Sequence, residues 1–154
     1  MTLLITGATG FVMSVLARQW LEADPRARLV ILDASPADAL ATRYFAPVAD
    51  RIATVVADVT RPDSWRDAVG GHDITHVVHG ATITPISRGT VAEAKREPEA
   101  ESPSRIIDVN VMGTVAVLEW ARALPRLQRF IYVSSGSVYK QHGPDRPGDR
   151  KSVV

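Results

Sequence analysis

Five short apolar runs alternate with longer amphipathic segments along the first 139 residues of this chain. Continuous runs of this length, rich in Val, Ile and Leu, are typical of strands that are buried on both faces. The alternation of strand and helix predicts an α/β fold with a parallel sheet of about five strands and helices on its flanks. The predicted strands are residues 3–5, 29–33, 52–58, 75–82 and 129–133.

A glycine-containing turn joins the first strand to an amphipathic segment that is predicted as a helix over residues 11–23. This helix ends ahead of Asp24-Pro25, because proline disfavours helical geometry in the residue before it. A helix that begins directly after a strand aims its free backbone N–H groups and the positive end of its dipole at the turn. Gly7 and Gly10 leave room there for a phosphate. Taken alone the turn is weak evidence, since glycine serves many such turns for steric reasons.

A carboxylate at the end of the second strand adds a second feature. Asp33 stands 26 positions after Gly7 (33 minus 7), close to the spacing of about 20 at which an acid binds the adenosine ribose in dinucleotide-binding folds. Together the two features indicate a dinucleotide site, with NAD preferred over NADP because the carboxylate would repel a 2′-phosphate. Arg43 offers the alternative of meeting that phosphate, although a solvated surface arginine is the more common case.

Met13 occupies the position at which this glycine pattern carries its third glycine. That glycine allows the helix to pack closely on the strand. We therefore expect Met13 either to displace the helix or to lean toward the pyrophosphate. In both cases the affinity for a dinucleotide should be weak.

Composition narrows the classes of partner. The 154 residues suit one domain with a substantial core, and mixed charges that sum to +1 indicate neither a nucleic acid nor a membrane surface as partner. We therefore expect a small-molecule partner. The absence of cysteine excludes disulfides and thiolate ligands, no metal site is predicted, and no apolar run approaches the roughly 18 residues of a membrane span. A soluble cytoplasmic protein is expected.

Three segments in the second half of the chain have distinct patterns. Residues 83–103 are charged and rich in proline, which predicts a long loop that is either simply solvated or a lid over a site. Residues 104–124 form the longest helical pattern, with an apolar face broad enough to pack on the sheet and on a partner chain. Residues 140–154 have no strand or helix period and are predicted to be loop or disordered.

Five motifs stand in the order and setting seen in extended short-chain dehydrogenases/reductases, and the chain most resembles the NAD-dependent epimerase/dehydratase group. The resemblance runs from residue 2 to about residue 139 and implies a Rossmann-type domain over 1–139. Five ordered motifs are far more specific than the glycine turn alone. The motifs are Thr6-Gly7-Ala8-Thr9-Gly10-Phe11-Val12, Asp58-Val59, His79-Gly80-Ala81-Thr82, Asn110-Val111-Met112-Gly113-Thr114 and Ser134-Ser135-Gly136-Ser137-Val138-Tyr139.

The resemblance implies a role for each matching position. The glycine turn would hold the pyrophosphate, Asp33 the adenosine ribose, and Asp58 with Val59 the adenine edge. Asn110 resembles a helix asparagine that supports the active site, although it could instead bond the backbone of a neighbouring element. Ser135 stands where the family's catalytic serine stands and would hydrogen-bond the reacting oxygen of the substrate, unless it only satisfies backbone groups at the strand end. The implied cofactor-binding residues are Thr6, Gly7, Ala8, Thr9, Gly10, Phe11, Val12, Asp33, Asp58, Val59, Ala81 and Asn110.

The chain departs from the family at the proton carrier. The family uses a tyrosine with a lysine four residues later, and Tyr44, Tyr132 and Tyr139 all lack a lysine at that offset. We therefore interpret the chain as the cofactor-binding part of an NAD-dependent oxidoreductase, truncated before the later strands of the sheet. Such a protein would act on a sugar nucleotide or a similar carbinol substrate, would be inactive as this chain, and would form a homo-oligomer. The alternative is a non-catalytic dinucleotide-binding or sensing module that acts through a partner.

Overall fold

The computed structural model of the chain describes residues 1–83 and 102–135. Most of the predicted charged loop over 83–103 lies outside the described residues. The same holds for the end of the last motif, including Tyr139, and for the predicted tail over 140–154.

All five predicted strands lie in one parallel sheet. They are β1 (Thr2–Thr6), β2 (Arg28–Asp33), β3 (Ile52–Val56), β4 (His76–His79) and β5 (Arg129–Tyr132). Their spatial order is β3-β2-β1-β4-β5, which confirms the predicted Rossmann-type fold. After β3 the chain returns to the other side of β1, so the strand order reverses between β1 and β4. In such sheets ligands bind beyond the carboxyl ends of the strands at this reversal.

Helices cover both faces of the sheet. Those in the described ranges are α1 (Phe11–Ala23), α2 (Ala39–Phe45), α3 (Arg66–Gly70), α4 (Pro103–Ile107) and α5 (Thr114–Arg122). The bounds predicted for α1 are confirmed. The helix predicted over 104–124 is formed by α4 and α5, which a π-helical stretch at Asp108–Gly113 joins. Across the described part of the chain, no helix has the length and apolarity to cross a bilayer.

Two strands end earlier than predicted. β3 ends at Val56 rather than at residue 58, because the carboxylate and the carbonyl of Asp58 both accept hydrogen bonds from a turn that follows. β4 ends at His79 rather than at residue 82, because the N–H of Ala81 donates to the side-chain hydroxyl of Thr6 at 3.0 Å and not to the backbone of β1. In both places the chain leaves the sheet to build the region beyond the strand ends.

The core has two halves, one on each face of the sheet. Leu3 and Ile5 belong to the half that contains Leu21 of α1. Leu4, which alternates with them on β1, belongs to the half that contains Val117 of α5. Cover on both faces explains why these strands are continuous apolar runs in the sequence.

The apolar face predicted for the segment 104–124 is only partly buried. Val109, Val117 and Ala121 are buried as predicted. Other apolar residues of that face are exposed, so the sheet covers only part of its width. Contact of these residues with a partner chain stays a prediction. The exposed residues, called the apolar strip below, are Ile107, Val111, Val115 and Leu118.

Candidate functional site

The turn between β1 and α1 has the geometry of an anion-binding turn. Gly7 has a φ of 71°, and a Cβ on it would lie 2.9 Å from the Cα of Ala81, so only glycine fits there. Its N–H donates to the carbonyl of Leu32 at 2.9 Å, which ties the turn to β2. Gly10 is the N-cap of α1 and provides no side-chain cap. The first backbone N–H groups of α1 therefore remain available to a bound anion.

A cleft of about 710 Å³ lies beyond the carboxyl ends of the strands. Its walls include Gly7 after β1, Gly80 after β4 and Val133 after β5, so it lies at the strand-order reversal. Most of the residues predicted to bind a cofactor meet in this cleft. They are Gly7, Thr9, Gly10, Phe11, Val12, Asp33, Asp58, Val59 and Ala81.

Four of the predicted site residues do not line the cleft. Thr6 and Ala8 are fully buried, so they support the turn from within the core. Asn110 lies on the π-helical stretch and bonds a neighbouring segment. Ser135 is exposed three residues after the end of β5, and its catalytic role stays a prediction.

Asp33 is fixed within the cleft by Thr9 of the glycine turn. Its Oδ2 accepts the backbone N–H of Thr9 at 3.0 Å and the Thr9 hydroxyl at 2.7 Å. Its Oδ1 accepts only a long hydrogen bond of 3.4 Å, from the N–H of Ser35. Oδ1 therefore keeps acceptor capacity for a ligand hydroxyl. Arg43, the alternative phosphate partner, is exposed on α2 and does not line the cleft.

Asp58 forms an ion pair with an arginine that the sequence did not suggest. Oδ2 of Asp58 lies 2.7 Å from Nη2 of Arg105, and its Oδ1 accepts the N–H and the hydroxyl of Thr60 at 2.9 and 2.8 Å. Burial by itself raises the pKa of Asp58, but the hydrogen bonds from Arg105 and Thr60 outweigh burial and lower that pKa. Arg105 lies 47 residues along the chain, beyond a segment with no periodic pattern, so no spacing connects the two residues.

Val59 is held in the cleft wall by a glycine on the π-helical stretch. A Cβ on Gly113 would lie 2.7 Å from Cγ2 of Val59, so a larger residue at 113 would push the two elements apart. The carbonyl of Val59 accepts a hydrogen bond of 3.4 Å from the indole N–H of Trp65. The Asp58-Val59 pair is thereby supported from two sides.

Met13 packs in the core, and part of its side chain also lies in the wall of the cleft where the pyrophosphate is expected. α1 begins at Phe11 as predicted, and a displacement of the helix by Met13 stays a prediction. The Met13 side chain is 8% exposed, packs in the core and contacts Gly80, while part of it contributes to the cleft wall. The core therefore accommodates a methionine at position 13, against Gly80.

A buried polar chain links β1, β4 and α5 behind the cleft. Thr114 Oγ1 donates its single hydrogen to the carbonyl of Asn110 at 2.7 Å, so Nε2 of His79, 3.0 Å from that oxygen, carries the ring proton. Nδ1 of His79 then accepts the hydrogen bond from the Thr6 hydroxyl. Burial lowers the pKa of His79 to about 4, so the ring is neutral at pH 7.

The hydroxyl of Thr6 also holds the segment that follows β4. Thr6 Oγ1 accepts the backbone N–H groups of Gly80 and Ala81 at 3.2 and 3.0 Å. These bonds keep Ala81 against Gly7, where a Cβ on the glycine would collide. The buried chain therefore sets the shape of the glycine turn as well as the end of β4.

Asn110 clamps the chain just before the undescribed residues 84–101. Its Oδ1 accepts the N–H of Ile83 at 2.9 Å and the hydroxyl of Thr82 at 3.1 Å. Its Nδ2 donates to the carbonyl of Ile83 at 2.8 Å. The bond to a neighbouring backbone, one of the two roles considered for Asn110, is therefore present. Thr82 and Ile83 both line the cleft, and support of an active site by Asn110 stays a prediction.

Comparisons with known proteins agree with this geometry. A family model described as the NAD dependent epimerase/dehydratase family matches residues 3–153. The chain is 31% identical over 148 residues to an NAD-dependent epimerase/dehydratase of Alternaria alternata. This alignment covers 90% of this chain and 38% of that protein.

Solved structures give the same result for the fold. A dTDP-glucose 4,6-dehydratase from Bacillus anthracis in complex with NAD is similar with a TM-score of 0.70 and 19% identity, over 94% of this chain and 40% of that one. A UDP-glucuronic acid 4-epimerase from Bacillus cereus in complex with NAD is similar with a TM-score of 0.65 and 26% identity, over 92% and 42%. The chain therefore spans about two fifths of the length of these proteins.

Proposed function

Because the chain belongs to the NAD-dependent epimerase/dehydratase family, we propose that it is the cofactor-binding part of an NAD-dependent oxidoreductase. One observation carries this proposal: the uncapped N-terminus of α1 and the carboxylate of Asp33 lie in the same cleft. The helix N-terminus suits a diphosphate, and a carboxylate suits a ribose diol. The turn between β1 and α1 carries Gly7 and Gly10, so neither of these positions places a side chain between the diphosphate and the backbone.

The other contacts of the cleft support NAD as the cofactor. Thr9 holds Asp33 through Oδ2 and leaves Oδ1 to accept a ribose hydroxyl. The 2′-phosphate of NADP would meet this carboxylate, which favours NAD. Asp58 and Val59 form the wall assigned to the adenine edge. Once bound, NAD supplies a hydride acceptor for a carbinol carbon.

The substrate that we propose is a sugar nucleotide or a similar carbinol. The support is the names of the similar proteins, which refer to dTDP-glucose and UDP-glucuronic acid. Ser135 would hydrogen-bond the reacting oxygen. The 154 residues contain no Tyr-x-x-x-Lys, and a positioned proton carrier is worth roughly 10² to 10⁴ in rate. We therefore propose that this chain binds cofactor without turning over substrate.

The apolar strip suggests contact with another protein chain. Four exposed apolar residues on one helical segment form the kind of surface that marks protein contacts. We propose a homo-oligomer in the cytoplasm, without nucleic acid or membrane as partner. The same strip favours the second candidate function, a dinucleotide-binding or sensing module that acts through a partner protein.

Calorimetric titration with NAD, followed by an assay with UDP-glucose and dTDP-glucose, tests the proposal. The expected result is saturable binding of NAD and no formation of NADH. No binding of NAD would overturn the cofactor assignment. Formation of NADH that survives Ser135→Ala would show that the catalytic assignment is wrong.

A further inference from the structure

Gly80 lies against the side chain of Met13 across the boundary between β4 and α1. A Cβ built on Gly80 would lie 2.5 Å from Sδ and 2.7 Å from Cγ of Met13, and 3.2 Å from the carbonyl oxygen of Thr6. The two distances to Met13 are shorter than real Cβ contacts, so the flexible Met13 side chain would have to shift to admit a Cβ at residue 80. Met13 therefore occupies the space that any side chain at residue 80 would need.

Backbone conformation does not explain the glycine at residue 80. In the described part of the chain, Gly7 is the glycine with a positive φ, so Gly80 has a backbone conformation that other residues adopt. Its lack of a side chain matters for space alone. The size of residue 80 and the size of residue 13 are thus matched to each other.

This match replaces what a third glycine would otherwise do. A third glycine in the turn pattern allows the first turn of the helix to approach the sheet. Here residue 13 is large, and the room for the close approach comes from Gly80 on the opposing strand end. The Met13 side chain is 8% exposed and belongs to the same core cluster as Leu3 and Ile5 of β1.

We propose that Met13 and Gly80 are a size-matched pair that positions the N-terminus of α1 over the cleft. Met13 is then a positioning residue for the diphosphate of the cofactor, because its packing holds the turn at Gly10 where the free N–H groups face the ligand. This inference rests on the proposed function. If Met13 only crowded the diphosphate, shortening its side chain would strengthen the binding of NAD, whereas a positioning role predicts that the same change weakens it.

The test measures NAD affinity by calorimetry and thermal unfolding for Met13→Ala, Gly80→Ala and the double variant. Gly80→Ala should raise the Kd for NAD about tenfold, because a shifted Met13 moves the N–H groups at the start of α1 away from the diphosphate. Met13→Ala should also raise the Kd, because the first turn of α1 loses its support. The double variant should bind more tightly than Gly80→Ala alone, because the collision is gone.

Gly70→Ala is the matched control, since a Cβ on Gly70 would meet nothing within 4 Å, and it should leave the Kd unchanged. Tighter binding by Met13→Ala would favour crowding and overturn the proposal, as would unchanged Kd values in both single variants. If Gly80→Ala does not fold, a folded double variant that binds NAD still supports the pair.

Failure of the proposed function gives a different result from failure of the pair. If the wild-type chain does not bind NAD, the cofactor assignment fails and the pair is judged from unfolding alone. Losses in the melting temperature that simply add in the double variant would then overturn the size match. Losses that are smaller than additive would support it.

Discussion

The hydroxyl oxygen of Thr6 lies 2.7 Å from Nδ1 of His79, with the hydroxyl as donor and the neutral ring as acceptor. The two residues end the neighbouring strands β1 and β4 and are both fully buried. A proton on Nδ1 would turn this acceptor into a donor and leave a charge in the core. The turn that follows β4 depends on the same hydroxyl.

The first prediction is a loss of stability in mild acid that comes from His79. Its folded pKa of about 4 lies below the usual 6.5, so the neutral ring contributes stability that is complete above pH 6.5 and is lost as the pH falls toward 4. The loss should reach about 3 kcal/mol across that window. Denaturant unfolding between pH 7 and pH 4 measures it.

Two variants separate His79 from other titrating groups in this window. His79→Gln should flatten the dependence of unfolding free energy on pH, while His72→Gln on the loop before β4 should leave it intact. Asp58 titrates lower, since its pKa lies below the usual 3.8. An unchanged pH dependence in His79→Gln would show that another group is responsible.

The second prediction concerns the choice between NAD and NADP. Asp33→Asn keeps the shape of the side chain and removes the charge, so the affinity for NADP relative to NAD should rise about tenfold, or about 1.4 kcal/mol. Calorimetric titrations with both cofactors measure the ratio. Arg43→Ala is the control, because Arg43 does not line the cleft, and it should leave the ratio unchanged. Tighter binding of NADP than NAD by the wild-type chain would refute the role given to Asp33.

The third prediction concerns the ion pair between Asp58 and Arg105. Arg105→Ala should raise the pKa of Asp58. Burial, which raises this pKa, would then be opposed only by the hydrogen bonds from Thr60, which lower it. Titration of the Asp58 carboxyl carbon by NMR measures this shift. The side chains are 24% and 43% exposed, so the cost in stability should stay below about 1 kcal/mol. Arg126→Ala, which removes a pair with Asp73, should not move the pKa of Asp58, and a shift there would argue against a local cause.

The fourth prediction is self-association through the apolar strip. The chain should show a mass above that of the monomer in light scattering, with a share that rises with concentration. Leu118→Lys should shift the protein toward the monomer, whereas Leu40→Lys, at an exposed apolar residue of α2, should not. A single monomeric mass at every concentration would contradict the homo-oligomer.

The parts of the fold that were predictable from the sequence are those governed by local patterns. The strands are continuous apolar runs because both faces of the sheet are covered, and α1 has its predicted bounds because Pro25 stops it. The turn at Gly7 was predictable from the sequence because its positive φ requires glycine. Nine predicted residues met in the cleft because parallel strands bring their carboxyl ends to one edge.

Contacts between distant residues were decided by the tertiary structure alone. Arg105 reaches Asp58 and Asn110 clamps Ile83 only because packing brings the segment from α4 to α5 against the segments that follow β3 and β4. Met13 was expected to be a defect of the turn, and its fit against Gly80 depends on the register of α1 on β4. Local sequence determines which backbone geometry a segment adopts. The packing of those segments determines which side chains share a space, and no pattern within one segment carries that information.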